Sequence, residues 1–204
     1  MPKILLLCLL NPKLWCPVDK TLILASQSPQ RLRLLKDYGF SIEVRIPQID
    51  ETPQPEESAR VLVERLALTK LRDVVDLEET GLAADTVVEF DGEILGKPGS
   101  QKKAITMLKD LSGQTHNVVG GIALRHMGQD ISGTITTEVT FRDLTNEEIM
   151  DYVEVGESLD KAGGYAIQGR GADLISRVEG CHENVIGLSM SAVFELMKFL
   201  KVRE

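Results

Sequence analysis

The sequence predicts an α/β fold built on a mixed β-sheet, and three observations lead there. Strand-like runs and helical patterns are interleaved from residue 21 onward. Asp91-Gly92 is a strong hairpin signal between two strand-like runs, whereas several other strands are separated by whole helices. The 204 residues are 43% hydrophobic and 26% charged, ample for a core, with no internal repeat, low-complexity tract or interdomain linker. The expected organisation is one domain over residues 21–204 behind an N-terminal extension, residues 1–20.

The elements follow in order. TLILAS (21–26) is an apolar strand that breaks off at Ser26, Gln27 and Ser28. Ser28 is placed to cap a helix that opens on Pro29, whose missing N–H would be unpaired there anyway. Such a helix start, with free N–H groups and a positive dipole end, is a seat for an anion. Arg31 and Arg33 lie in the first turns, where the dipole disfavours positive charge. A phosphate would account for one of them; an ordinary strand–turn–helix start is the structural alternative. Gly39 stops the helix, and FSIEVRIP (40–47) alternates as a second strand. QIDETPQPEES (48–58) is a proline-rich, acidic loop, followed by a helix from about Glu56 to Val74.

GLAADTVVEF (81–90) is strand-like and EILGKP returns from its hairpin. A helix runs from a Ser100 cap to about Leu111, ending before Gly113. HNVVGGIALRH and TITTEVTFRDL are further strands joined around residues 127–130. Thr145 and Glu148 form a capping box that opens a short helix closed by Gly156. DKAGGYAIQGRG (160–171) is a glycine-rich loop, LISRVEG a short strand, and SMSAVFELMKFLKV a C-terminal amphipathic helix.

The net charge of −8 argues against non-specific binding to nucleic acid, although a few converging cations can still hold a small anion. Cys8, Cys16 and Cys181 are scattered, without CxxC or zinc-like spacing, and fit a reducing compartment. The apolar run Ile4–Leu10 is too short to span a membrane and no small-residue cleavage site follows it. The expected location is therefore cytoplasmic, with no membrane partner.

Three positions break local rules. In the helix ending at Val74, Ala59, Leu62, Val63, Leu66, Ala67, Leu71 and Val74 form an apolar stripe. Lys70 falls near its middle, so it either snorkels outward or points into a polar cavity, where it could meet phosphate. Asp85 interrupts an apolar strand, on a face shared with Ala83, Val87 and Glu89. A buried, unpaired carboxylate is costly, and the small alanines leave room for a substrate, water or metal. The alternative is a satisfied structural aspartate. Thr86 faces the other way, to read a ligand or to fill a β-branched strand position. Lys97, in GKPGS, is not part of a P-loop because the spacing is wrong. Its interest is convergence with Lys70 and the 26–31 turn, while Glu51 and Asp85 could hold a divalent metal against a phosphate chain.

LASQSPQR, IDE, the lysine of LALTK, AADTVV, GKP, LSGQTH and DKAGGYAIQG occur in this order. Together they resemble the Maf family of nucleoside triphosphate pyrophosphatases over roughly residues 21–200. The DKAGGYAIQG form is similar to the branch that acts on dTTP and UTP. The resemblance implies an elongated mixed sheet flanked by helices with a central cleft, of the Maf/inosine-triphosphatase type. It implies hydrolysis between the α and β phosphates, releasing the monophosphate and pyrophosphate. By residue, Asp85 would be the catalytic proton acceptor. Ser26, Arg31, Lys70 and Lys97 would line the phosphate site, and Glu51 with Asp85 would hold a divalent metal, magnesium by expectation. Thr86 and Gln168 match positions tied to base selection. Gln30 stands where the family usually has an arginine, which bears on specificity. The alternatives are activity on another base, such as 7-methyl-GTP, or a non-catalytic regulator of cell division. A homodimer is left open.

Overall fold

The computed structural model describes residues 21–200. The N-terminal extension, with Cys8 and Cys16, lies outside the described residues. The apolar run LILA is β1 (Leu22–Ala25), buried throughout. Ser28 caps α1 (Pro29–Asp37), its hydroxyl accepting from the Arg31 amide at 3.4 Å. Gly39, at φ +86°, turns the chain into β2 (Ile42–Arg45). The next helix, α2 (Ala59–Val74), begins later than the Glu56 start read from sequence. Ser58 supplies its cap, and Glu56 stands outside the helix with φ of 60°.

β3 (Gly81–Phe90) and β4 (Glu93–Leu95) form the expected hairpin, with Asp91 at φ 50° and Gly92 at φ 80°, as a type I′ turn requires. Ser100 caps α3 (Gln101–Leu111). β5 (Thr115–His126) and β6 (Gln129–Phe141) meet at the two-residue turn Met127-Gly128, so β6 starts ahead of the TITTEV run. The capping box of α4 (Asn146–Glu154) is present. The glycine-rich loop contains 3₁₀ turns at Ala162–Gly164 and Gly169–Leu174 and leads into β7 (Ile175–Glu179). A short α5 (His182–Ile186), too brief for a periodic signal, precedes α6 (Met190–Phe199).

The sheet order is β2-β1-β3-β5-β6-β7, with β4 also on β3. β1 runs parallel to β2 and β3, and the remaining pairs are antiparallel, giving the mixed sheet expected. β3 is paired unequally on its two edges. One edge pairs with β5 from Gly81 to Glu89. On the other edge β1 reaches only Gly81, Leu82 and Ala83, and β4 only Val88, Glu89 and Phe90. Residues 84–87 therefore have no strand beside them on that edge, and the sheet is split there.

Both faces of β3 are covered. Leu82 and Ala84 join Leu22, Leu24, Leu35 and α6 residues such as Val193 in one core. Ala83 packs with Ala67 and Leu71 of α2 on the other face. Opposite the split, the register places Gly121 against Asp85 and Gly120 against Thr86. A Cβ at Gly121 would overlap the Val63 backbone of α2, and one at Gly120 would overlap the Asn184 carboxamide of α5. These glycines let a helix approach each face of the strand beside β3. The glycine-rich loop is clamped separately. His116 Nε2 lies 2.7 Å from the Tyr165 hydroxyl, and both rings meet Phe141 edge to face. Among the described residues no helix is long and apolar enough to cross a membrane.

Gly121→Ala is expected to cost about 1–3 kcal/mol of stability, the usual range for overpacking, because the obstacle is helix backbone, which cannot rotate away. Urea denaturation reads this, and an unchanged midpoint would refute the close approach. His116 supplies a pH dependence. Burial pushes its imidazole down to about 4. On acidification the unfolded chain, with its histidine near an ordinary value of about 6.5, takes up the proton first. Stability is therefore lost as pH falls from that value toward the folded one, by at most about 1.4 kcal/mol per pH unit from this group. His116→Phe should flatten the slope between pH 5 and 7 in denaturation curves; equal slopes would remove His116 as its source.

Candidate active site

The backbone left open at the split needs partners, because a buried, unpaired carbonyl is costly. Arg31 supplies one. Its Nη1 donates to the Ala84 carbonyl at 2.7 Å and to Ser26 Oγ at 3.2 Å. Its Nη2 donates to Thr86 Oγ1 at 3.1 Å, and its Nε to the Gly187 carbonyl at 2.9 Å. The planar guanidinium thus bridges the end of β1, the open edge of β3 and the turn after α5. This explains an arginine in a first helical turn. Burial pushes the Arg31 guanidinium below its ordinary value, and the charges of Asp85 and Glu51 oppose that shift. Arg33 is exposed and only approaches Asp37, at 3.7 Å. Ser26 Oγ also accepts from the Ser28 amide at 3.2 Å, and the Ser28 hydroxyl donates to Gln30 Oε1 at 3.2 Å. These polar groups of the 26–31 turn are thereby oriented before any ligand arrives.

On the opposite face of β3, Lys70 points into the cleft and does not snorkel. Its Nζ lies 2.6 Å from Asp85 Oδ1 and 2.9 Å from Glu51 Oε1. The Lys70 and Asp85 side chains are 8% and 9% exposed, whereas Glu51 is 52% exposed. The carboxylate that interrupts an apolar strand is therefore paired with the lysine that interrupts an apolar stripe. Ala67 and Leu71, its neighbours on α2, are themselves buried against the sheet. The bare Gly121 lets α2 come near enough for the ammonium to reach Asp85.

These groups share one cleft of about 700 Å³. Ser26, Gln30, Arg31 and Thr86 line it together with Glu51, Lys70, Asp85 and Lys97. Lys97 is exposed and is placed by its neighbours, with Pro98 buried and the Gly163 amide donating to the Gly96 carbonyl at 3.2 Å. Gln168 is set apart, lining an adjoining cavity of about 290 Å³. Lys161, Tyr165 and the carbonyl of Gly187 also belong to the site, although no local rule in the sequence marks them singly. Lys161 and Tyr165 lie within DKAGGYAIQG, so the motif carries a signal for them; Gly187 carries none.

The charges of Arg31, Lys70, Lys97 and Lys161 nearly cancel those of Glu51, Asp85 and Asp160. A polyanion entering the cleft would therefore need further cations. Asp85 on β3 and Glu51 in the loop before α2 reach one cation, the Lys70 ammonium, and both offer oxygen donors only. That fits magnesium, which usually takes one or two carboxylates together with substrate phosphates and water. Among the described residues no group of three or more histidine, cysteine, aspartate or glutamate side chains forms a metal cage. The donor set is thus one a ligand must complete.

An open mixed sheet with a charge-lined cleft beside the carboxyl ends of its parallel strands places the chain among the α/β proteins whose sites lie at that end of the sheet. The family model for Maf-like proteins matches residues 21–200, and the chain belongs to that family. Two relatives, from Symbiobacterium thermophilum and Halalkalibacterium halodurans, are 44% and 45% identical and carry the name dTTP/UTP pyrophosphatase. The first alignment covers 86% of this chain and 92% of the relative, the second 88% and 95%. The fold is similar to that of the Staphylococcus aureus Ham1 protein at a TM-score of 0.51 and 17% identity, over 91% of this chain and 100% of the other.

Lys70→Ala leaves Asp85 without its cation and should cost about 1–3 kcal/mol, less than the ~3–5 kcal/mol for breaking a sealed pair, because the cleft admits water. In a cycle with Asp85→Ala, the double variant should be more stable than the sum of the single losses predicts. Strict additivity in urea denaturation would mean that the pair is not coupled.

Proposed function

We propose that the protein is a nucleoside triphosphate pyrophosphatase that hydrolyses dTTP, UTP and closely related pyrimidine triphosphates to the monophosphate and pyrophosphate. The observation that carries the reading is the Lys70–Asp85 pair on the cleft wall, in a chain whose relatives are named for this activity. The Lys70 bond occupies Asp85 Oδ1 and leaves Oδ2 as the oxygen to accept a proton from an attacking water. Glu51 holds Lys70 from its other side, so the ammonium is oriented by both carboxylates and can also meet a phosphate oxygen. Lys97 and Lys161 add positive charge at the rim. Arg31 already has internal partners, so its contribution is to hold Ser26, Thr86 and the β3 edge in place while its charge acts across the cleft.

Asp85 and Glu51 would hold the divalent cation, magnesium by the donor set, which when bound neutralises phosphate charge and polarises the phosphorus–oxygen bonds. A triphosphate carries about four negative charges near neutrality, and the cleft's nearly balanced charges supply a reason for that requirement. Gln30, where an arginine is usual, keeps a hydrogen-bonding amide beside the substrate and lowers the positive charge there, which favours specificity by hydrogen bonding over phosphate attraction. The acidic net charge and the free Cys181 support a cytoplasmic enzyme that does not bind nucleic acid.

The test is pyrophosphate release from dTTP, UTP, CTP, GTP and 7-methyl-GTP with magnesium. Turnover concentrated on dTTP and UTP is the expected result; no turnover of any triphosphate would favour a binding or regulatory role. Asp85→Asn should lower kcat by at least about a hundredfold, the lower range for a general base, while the fold survives by circular dichroism. Near-normal turnover would take Asp85 out of the chemistry.

A further inference from the structure

Beside the main cleft lies the smaller cavity of about 290 Å³, which shares Gln30, Lys161 and Tyr165 with it as lining residues. Its wall carries Glu157, from the segment after α4. This carboxylate is unusual among the acidic groups of the described residues. Its Oε2 is enclosed and has no hydrogen-bond partner. The nearby cation is engaged elsewhere, since Lys161 Nζ lies 2.7 Å from each oxygen of Asp160. Gly169, at φ +67°, brings bare backbone against the carboxylate, and a Cβ there would come within 2.9 Å of Oε1. The chain thus places a carboxylate at a cavity wall with Oε2 sealed against the protein, and among the described residues no donor reaches Oε1 either, so Oε1 is the oxygen that a ligand in the cavity can meet. Such a group costs free energy unless a ligand satisfies it.

Two carboxamides, Gln30 and Gln168, line the same cavity. Each can donate as well as accept, whereas an ionised carboxylate only accepts. An acceptor flanked by amide donors is complementary to a ring N–H flanked by carbonyls. Uracil and thymine present that pattern, with N3–H between C2=O and C4=O. Cytosine presents a lone pair at N3, which would face the carboxylate unfavourably. We infer that Glu157 is a specificity-determining residue that accepts a hydrogen bond from the ring N–H of the substrate base and rejects cytosine. The inference rests on the proposed nucleotide activity and adds to it the group that reads the base. Its selectivity comes from repulsion as well as attraction, since removing the carboxylate should relieve the penalty on cytosine.

The experiment compares Glu157 with Glu157→Gln, which keeps the shape but can turn an N–H toward cytosine N3. kcat/KM is measured for UTP and CTP, and binding of the α,β-methylene analogues of both is measured by calorimetry. Thermal melting confirms that the variant folds, and Glu157→Asp serves as a second variant that retains the charge. The expected result is a fall in the UTP:CTP preference of at least about tenfold in Glu157→Gln, with Glu157→Asp retaining more of it. An unchanged ratio, or equal losses on both nucleotides in a folded variant, overturns the inference. If the wild-type protein releases no pyrophosphate yet binds the UTP analogue with a Glu157-dependent preference, the proposed activity fails and the inference stands. Binding of neither analogue overturns both.

Discussion

The bond from Arg31 to the carbonyl of Ala84 compensates a shortage of backbone partners that the sheet itself creates. β3 is paired along one edge and abandoned between two short strands on the other. A sheet edge buried without partners is not tolerable, and exposing it fully would invite another chain to pair there. The guanidinium reaches across with three nitrogens and leaves an opening beside it. The cleft is therefore a product of strand length. β1 ends at Ala25, β4 ends at Leu95 opposite Val88, and the residues between them on β3 are those that carry the functional side chains.

Alternation then divides the work. Asp85 falls on the α2 side with Lys70, and Thr86 on the other side with Arg31 and the Gly187 carbonyl. The site gathers groups from both faces of one strand because the split lets the two faces communicate. Gly120 and Gly121 make this possible from the neighbouring strand. Each removes a side chain where a helix or a carboxamide must lie against backbone. Two adjacent residues without side chains thus set the depth at which both halves of the site sit.

Much of this is legible in the sequence. The Ser28 cap, the Asp91-Gly92 turn and the Thr145–Glu148 box are local devices, and the structure bears out each. Lys70 and Asp85 are visible because each breaks an apolar pattern, yet neither pattern says that the two break it for one another. Their pairing depends on how α2 lies across β3 and β5, which is a tertiary fact. Arg31 stands out for a mismatch with the helix dipole, which on its own points toward phosphate. Its internal bonds depend on the split edge, and strand lengths are the least legible feature of a sequence. The Gly187 carbonyl is backbone and carries no mark in the side-chain alphabet. α5 escapes notice because five residues are too few to show a period.

The bond from Arg31 to Gly187 joins positions 156 residues apart in the chain. Contacts of such long range close only after the loop entropy between them has been overcome, and they slow folding. β1 and β3 are also parallel, so their pairing waits for α2 to cross over. The segment through β5 holds every element that sets Lys70 beside Asp85, but the opposite wall is absent until residue 187 arrives. During synthesis from the N-terminus, the cleft therefore stays incomplete until residue 187 has left the ribosome. Activity then becomes a late event in the life of each molecule, and a chain cut short before α5 would keep its acid and its lysine with nothing after α4 to hold Arg31 in place.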